Sequence, residues 1–256
     1  MIIRKIEVKD KKVKIFLDNK ESFEISLETY ISNEILLDSK IDTKRIEFLK
    51  GQDNYNALKM MLLNKLNNKR MSKQECLNYL LENDLDIIDC NKIINEFERN
   101  YLINDLELAE LVIEAALINK KGINVIKEKL KSRLIRVDYD GALTKFLDRE
   151  IYNKNVQYQL DKYFKLGKNK SKVELKKYLC IKMMENGYLK EDFVDLLDRY
   201  EVDEYSAIFM EIEKFMKNRE INRENIAKIT KKLLSKGFNY AIIKDVIREC
   251  GFNETY

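Results

Sequence analysis

The feature that most constrains the fold of this 256-residue chain is a pattern that returns about every 50 residues. Four segments carry it: YLLENDLDIIDCNKIINEF (79–97), KLKSRLIRVDYDGALTKFL (129–147), KMMENGYLKEDFVDLLDRY (182–200) and KLLSKGFNYAIIKDVIREC (232–250). Anchored on Leu85, Leu134, Tyr188 and Phe238, each has an apolar pair eight and nine positions on: Ile93-Ile94, Ala142-Leu143, Leu196-Leu197 and Val246-Ile247. Phe97, Phe146, Tyr200 and Cys250 follow at twelve, and the anchors lie 49, 54 and 50 residues apart, which leaves the second copy open to a shift by one residue. Self-similarity at this period marks a repeat architecture, in which a unit cannot bury its apolar face alone and stacks on its neighbours.

Each unit reads as three helices, for example 105–118, 122–133 and 138–148. Apolar residues make up 45% of the chain and charged ones 36%, with seven glycines and no proline, so long helices joined by short loops are expected. Ser72-Lys-Gln-Glu75 and Ser171-Lys-Val-Glu174 are capping boxes by sequence, and Asn104, Asn153 and Asn222 are candidate N-caps. Gly187 and Gly237 fit left-handed helix ends, with Asp84 and Arg133 as their counterparts. The first 50 residues differ: IIRKIEVK, KVKIFLD and SFEISLE alternate apolar and polar residues and predict three strands, before YISNEILLDSK and TKRIEFLKG turn helical. The expected fold is mainly α, with tandem three-helix repeats in an extended or curved array behind a small β-rich N-terminal module. The expected bounds are 1–50 for the module and 51–102, 103–150, 151–203 and 204–256 for the repeats.

The repeat also assigns residues that would otherwise invite a chemical role. Cys76, Cys90, Cys180 and Cys250 are 14, 90 and 70 positions apart, with no Cys-x-x-Cys and no histidine to complete a zinc set. Cys180 and Cys250 fall in slots filled elsewhere by Leu77, Ile126, Phe97 and Tyr200, so buried reduced thiols are expected. Without histidine, Ser/His/Asp and Cys/His arrangements are impossible, and no glycine-rich phosphate loop is present. The carboxylate clusters DLDIID and KEDFVDLLD sit on polar helix faces. No enzyme activity and no cofactor or metal is expected. The charged N-terminus and the lack of a long apolar run predict a cytoplasmic protein without membrane contact, working as a monomer.

Charge is segregated behind a net +4. Residues 59–73 carry five basic and no acidic side chains, 119–136 seven against one, 162–177 seven against one and 214–236 eight against two. Each block spans the junction of a unit's first and second helices, whereas 82–110 holds nine acids against two bases. If equivalent junctions align, Lys69, Arg70, Lys73, Lys120, Lys121, Lys127, Arg133, Lys168, Lys170, Lys172, Arg219 and Arg223 form a basic ridge. Such a ridge steers a phosphate backbone or an acidic protein surface over roughly a Debye length of about 10 Å. Each loop taken singly also reads as a solvated helix end.

The stretches LINDLELAELVI (102–113) and KKGINVIKEKLKSRLI (120–135), with Ala142-Leu143, resemble the signature of the RecX family, bacterial regulators of the RecA recombinase. Asn104, Asp105, Ala109, Lys121, Gly122, Ile126, Leu130 and Ile135 match its pattern. Leu108 replaces the usual aromatic, Tyr101 stands where glycine is common, and Leu134 replaces a second glycine. The length and N-terminal module are similar to the longer Gram-positive members. The resemblance implies a non-enzymatic modulator, most simply an inhibitor, acting in homologous recombination, DNA repair and the SOS response. Its implied partners are the RecA filament and the single-stranded DNA within it, with weak direct DNA binding. A helical-repeat nucleic-acid scaffold unrelated to RecA is the alternative class, and a carboxylate enzyme the third.

Overall fold

β-branched residues alternating with charges set the first elements. In the computed structural model, which describes residues 1–251, strands β1 (Ile3–Lys9), β2 (Lys12–Leu17) and β3 (Ser22–Ser26) form an antiparallel sheet in the order β1-β2-β3. The register pairs Val8 with Val13 and Val13 with Ile25. Val13, Ile15, Leu17, Phe23 and Ile25 point to one buried face, while Lys12, Lys14 and Glu24 point to solvent. Helices α1 (Leu27–Ser32) and α2 (Thr43–Asn68) cover that face, with Ile46 and Leu49 of α2 in the same core. Helix α2 thus runs through residue 50, the expected edge of the module. Residues 33–40, expected to be helical, are turns and irregular backbone, because Glu34 (φ 46°) and Asp38 (φ 59°) take left-handed backbone that no α-helix tolerates.

The remaining elements are α3 (Lys73–Glu82), α4 (Ile87–Arg99), α5 (Asp105–Ile118), α6 (Ile123–Ser132), α7 (Tyr139–Phe146), α8 (Arg149–Gly167), α9 (Lys172–Glu185), α10 (Glu204–Met216), α11 (Arg223–Ser235) and α12 (Tyr240–Glu249). The chain divides into two compact units, one of Met1–Leu108 with Arg133–Val137, the other of Ala109–Ser132 and the residues from Asp138 on. Among the described residues no strand occurs after β3. The chain is mainly helical with a small N-terminal sheet.

Helix α4 shows how the pattern works. Cys90, Ile93, Ile94 and Phe97, spaced i, i+3, i+4 and i+7, lie on one side and are buried against Leu58, Leu62, Cys76 and Leu80 of α2 and α3. Helix α12 repeats this with Ile243, Val246 and Ile247 against Ala207, Ile208, Ile229 and Leu233. The segment after α9 departs from it: Phe193, fully buried with φ −141°, interrupts the helix, leaving two short 3-10 segments at Lys190–Asp192 and Val194–Arg199. Cys76 and Cys90 are buried, but Cys180 and Cys250 are only half-buried, so the repeat slots do not impose one depth.

Helix ends correct the sequence reading at three points. Asn153 lies inside α8, whose N-cap is Asp148. Ser171 accepts from the Glu174 amide at 3.1 Å, but the Glu174 carboxylate goes to Lys170, so only half of the expected box forms. The left-handed residue after α6 is Leu134 (φ 52°), not Arg133, and the buried anchor beside it is Ile135, while Leu134 is 42% exposed. The second anchor moves on by one residue. With Asp84 (φ 60°), Gly187 (φ 84°) and Gly237 (φ 79°), this makes a left-handed turn and then a buried apolar residue the common end of α3, α6, α9 and α11. In three of them the amide of that residue bonds back to a carbonyl five residues earlier: Leu85 to Leu80, Tyr188 to Met183 and Phe238 to Leu233. A side chain in left-handed backbone costs ~1–2 kcal/mol, so Leu134→Gly is expected to raise stability by roughly 1 kcal/mol in urea denaturation. A loss instead would show that the Leu134 side chain carries packing.

Candidate functional site

The expected site lies where the first and second helices of each unit meet, so its geometry begins with the N-termini of α3, α6 and α9. A helix leaves its first four amides without internal partners. At α3, Ser72 Oγ accepts from the Glu75 amide (3.1 Å) and Glu75 Oε2 from the Ser72 amide (2.8 Å). Asp105 Oδ1 takes the Lys73 amide at 2.7 Å, while its Oδ2 takes the Arg136 amide at 3.1 Å. Asp105, at the start of its own helix behind the Asn104 N-cap, therefore ties α3 to the turn after α6. Arg133, in that turn, donates to both oxygens of Glu75 (2.9 and 3.1 Å) and to the Arg70 carbonyl. At α9 the plan repeats: Glu204 takes the Lys172 amide at 2.7 Å, again 32 residues on, and Ser171 Oγ donates to the Lys236 carbonyl in the turn after α11.

The α6 terminus has no serine, and its backbone does the same work. The Gly122 amide donates to the Asn186 carbonyl and the Asn124 amide to the Gly187 carbonyl, both at 2.9 Å, in the turn after α9. Lys121 Nζ adds a bond to Asn186 Oδ1 at 3.0 Å. The approach is so close that a Cβ on Gly122 would lie 2.2 Å from the Gly187 carbonyl carbon. Only glycine fits.

The basic residues predicted for a partner divide into three groups. Arg133 is bound as described, Arg70 pairs with Glu107 (2.8 Å), Lys73 with Glu98 (2.8 Å), Lys127 with Asp140 (2.6 Å) and Lys170 with Glu174 (2.9 Å). Arg219 stacks on Phe215, 4.2 Å from the ring centroid, and donates to the Phe215 carbonyl. Lys69, Lys168, Lys172 and Arg223 are exposed and make no side-chain salt bridge or hydrogen bond among the described residues. The other motif positions are interior: Ala109, Ile126 and Leu130 are fully buried.

Lys120 stands apart. Its φ of 52° ends α5, and its carbonyl accepts from Tyr188 Oη (2.9 Å) and from Gln159 Nε2 (3.3 Å). Nearby, Asn155 donates to the Leu117 carbonyl at 2.7 Å and Tyr152 Oη to Asp192 at 2.6 Å. Burial and the Asp192 carboxylate push the Tyr152 and Tyr188 phenols up, so both remain donors. With its backbone clamped, Lys120 Nζ sits 4.7 Å from the centroid of the Tyr158 ring, a residue the sequence did not single out.

No helix among the described residues is long and apolar enough to cross a membrane, and no group of three His, Cys, Asp or Glu side chains could hold a metal ion. No family model matches the chain. It is 26% identical over 257 residues to "Regulatory protein RecX" of Streptococcus mutans, covering 97% of this chain and 99% of that one. The same protein of Lactococcus lactis subsp. cremoris is 27% identical over 254 residues, 92% of each chain. A crystal structure of regulatory protein RecX superposes with a TM-score of 0.61 at 20% identity, over 77% of this chain and 98% of that chain, and shares the fold. The chain is similar over nearly its whole length to proteins of the RecX family. Its relatives are regulatory proteins by name.

The family pattern now has a physical reading. Tyr101 and Leu134, the two positions where that pattern favours glycine, both have positive φ (57° and 52°), and Gly122, which it keeps, is the point of closest backbone approach. Gly122→Ala is expected to cost about 1–3 kcal/mol in thermal or urea unfolding, as overpacking does, and an unchanged midpoint would mean that the Gly122–Gly187 contact yields to a methyl group without loss. At Glu75, burial raises the carboxyl pKa, but Arg133 and the Ser72 amide outweigh it and hold it below the ordinary 4.5. A depressed carboxylate contributes stability above its unfolded pKa and loses it as pH falls through the folded one. Arg133→Gln is therefore expected to cost roughly 1.5–3 kcal/mol at neutral pH. It should also flatten the loss of stability below pH 4.5, which parallel acid titrations of the two proteins would measure.

Proposed function

We propose that this chain is a non-enzymatic regulator that binds RecA filaments on single-stranded DNA and lowers their ATP hydrolysis and strand exchange. The observation that carries this reading is the likeness, over nearly the whole length of both chains, to regulatory proteins of the RecX family. The recurring junctions support it. Helices α3, α6 and α9 start in the same kind of contact with a turn some 60 residues on, so consecutive three-helix repeats (51–102, 103–150, 151–203, 204–256) share one kind of joint and offer their loops to a partner. Exposed, unpaired Lys69, Lys168, Lys172 and Arg223 supply the positive charge such a partner would meet, in a cytoplasmic monomer. Once one repeat is docked, the next engages at high effective concentration, so affinity accumulates without a deep pocket. The paired cations Arg70, Lys73, Lys127, Lys170 and Arg133 hold the protein itself together.

The test titrates the full chain into a RecA ATPase assay with single-stranded DNA already saturated by RecA, so that competition for bare DNA cannot mimic the effect. Falling hydrolysis at sub-stoichiometric protein, with co-sedimentation of the protein and the filament, is the expected result. Unchanged hydrolysis at equimolar protein without co-sedimentation would replace this reading with a nucleic-acid scaffold unrelated to RecA. Charge reversal of Lys168 and Lys172 together is expected to weaken filament association and its salt dependence while the melting temperature stays put.

A further inference from the structure

Helix α8 buries Tyr152, Val156 and Leu160 and turns its opposite side outward. Ile151, Lys154, Tyr158, Lys162 and Lys165, at spacings of three and four residues, share that outer stripe, and all are exposed. Tyr158 is 53% exposed and Leu166 beside it 68%, in an open recess that they line with Asp161, Lys162 and Lys165. Lys120 Nζ sits over the Tyr158 ring from the turn after α5. Lys162 and Lys165 form no ion pair among the described residues, and Lys154 meets only the exposed Glu150 at 2.5 Å. The one carboxylate in the recess, Asp161, is engaged: its Oδ1 accepts from Tyr200 Oη at 2.6 Å and from Gln157 Nε2 at 2.9 Å.

Solvation of a helix surface explains a lysine here or there, and the helix C-terminus accounts for Lys165. It does not account for a half-exposed tyrosine at mid-helix with the Lys120 ammonium on its ring and two further unpaired ammoniums within about 10 Å along the stripe. We propose that this stripe binds single-stranded nucleic acid, with Tyr158 stacking on a base and Lys120, Lys162 and Lys165 meeting phosphates. An acidic protein surface would match the lysines but has no use for an aromatic face among them, whereas every base has a π-face to offer. The proposal deepens the function given above by assigning the chain its own contact to the strand, at residues that apart from Lys120 are not among those expected to form the basic ridge.

The experiment measures binding of the full chain to fluorescently labelled oligo(dT), with no recombinase present, across a series of salt concentrations. Tyr158→Ala is expected to weaken binding by about 5- to 150-fold, the range that removal of one stacked base gives, and Tyr158→Phe to bind within about twofold of the parent. Lys162→Gln with Lys165→Gln is expected to reduce the slope of log affinity against log salt by about 1.4, or roughly 0.7 for each phosphate no longer neutralised. All these side chains are exposed, so the variants keep the parent's melting temperature. Parent-like affinity and salt slope in the alanine and glutamine variants would overturn the proposal. So would variants that keep oligo(dT) binding but lose RecA filament association, since the stripe would then meet protein. RecA ATPase inhibition by the parent, with oligo(dT) binding insensitive to the substitutions, leaves the regulatory function standing and removes this site. Loss of oligo(dT) binding in the variants, without any effect of the parent on RecA, supports the site and removes the regulatory reading.

Discussion

The structure depends on one kind of joint, in which a helix start whose amides are met by side chains or by turn carbonyls is tied to a turn far along the chain. Amides left bare in a half-buried corner cost ~1–3 kcal/mol each, so wherever two helices pack end to turn the corner must supply acceptors. Three helix starts meet this demand with different chemistry. Serine and aspartate do it at α3, serine and glutamate at α9, and bare carbonyls at α6. Where side chains supply the acceptors the backbones can stand apart. Where the backbone supplies them, as at Gly122 and Gly187, the chains must touch, and both residues lose the freedom to carry a Cβ.

The same joint explains why the turns after α3, α6, α9 and α11 share left-handed backbone. A chain that leaves a helix and at once buries an apolar residue must reverse within one residue, and positive φ achieves this while returning the next amide to the helix. Glycine does so without strain at Gly187 and Gly237, whereas Asp84 and Leu134 carry the strain of a side chain. Asn and Asp tolerate this backbone through local hydrogen bonds, but a leucine has no such compensation.

Much of this was legible in the sequence. The alternation of Val13, Ile15 and Leu17 placed the sheet, and the spacing of Ile93, Ile94 and Phe97 placed α4, because burial on one side of an element leaves a period in the sequence. Asn104 and Ser72 announced their helices through caps that act within three residues. Pairings across 30 to 65 residues leave no such period. Nothing local distinguishes Asp105 as a cap for α3 or Arg133 as the partner of Glu75, and a lysine-rich block looks alike whether its charges are spent inside the protein or left in water. The one-residue slip at Leu134 has the same origin: two adjacent apolar residues fit the pattern equally well, and only the turn decides which is buried.

Which charges are spent also governs what the surface can do. An ammonium already held by a carboxylate, such as Lys73 on Glu98, must break that bond before it meets a phosphate, and the exchange returns little net free energy in water. A lysine held over an aromatic ring loses nothing comparable, because the ring attracts the cation without neutralising it. Lys120 is in that position, with its backbone fixed by Tyr188 and Gln159 and its ammonium over Tyr158. Basic content alone therefore ranks these loops wrongly. The cations best placed for a partner are those that the joints leave unpaired.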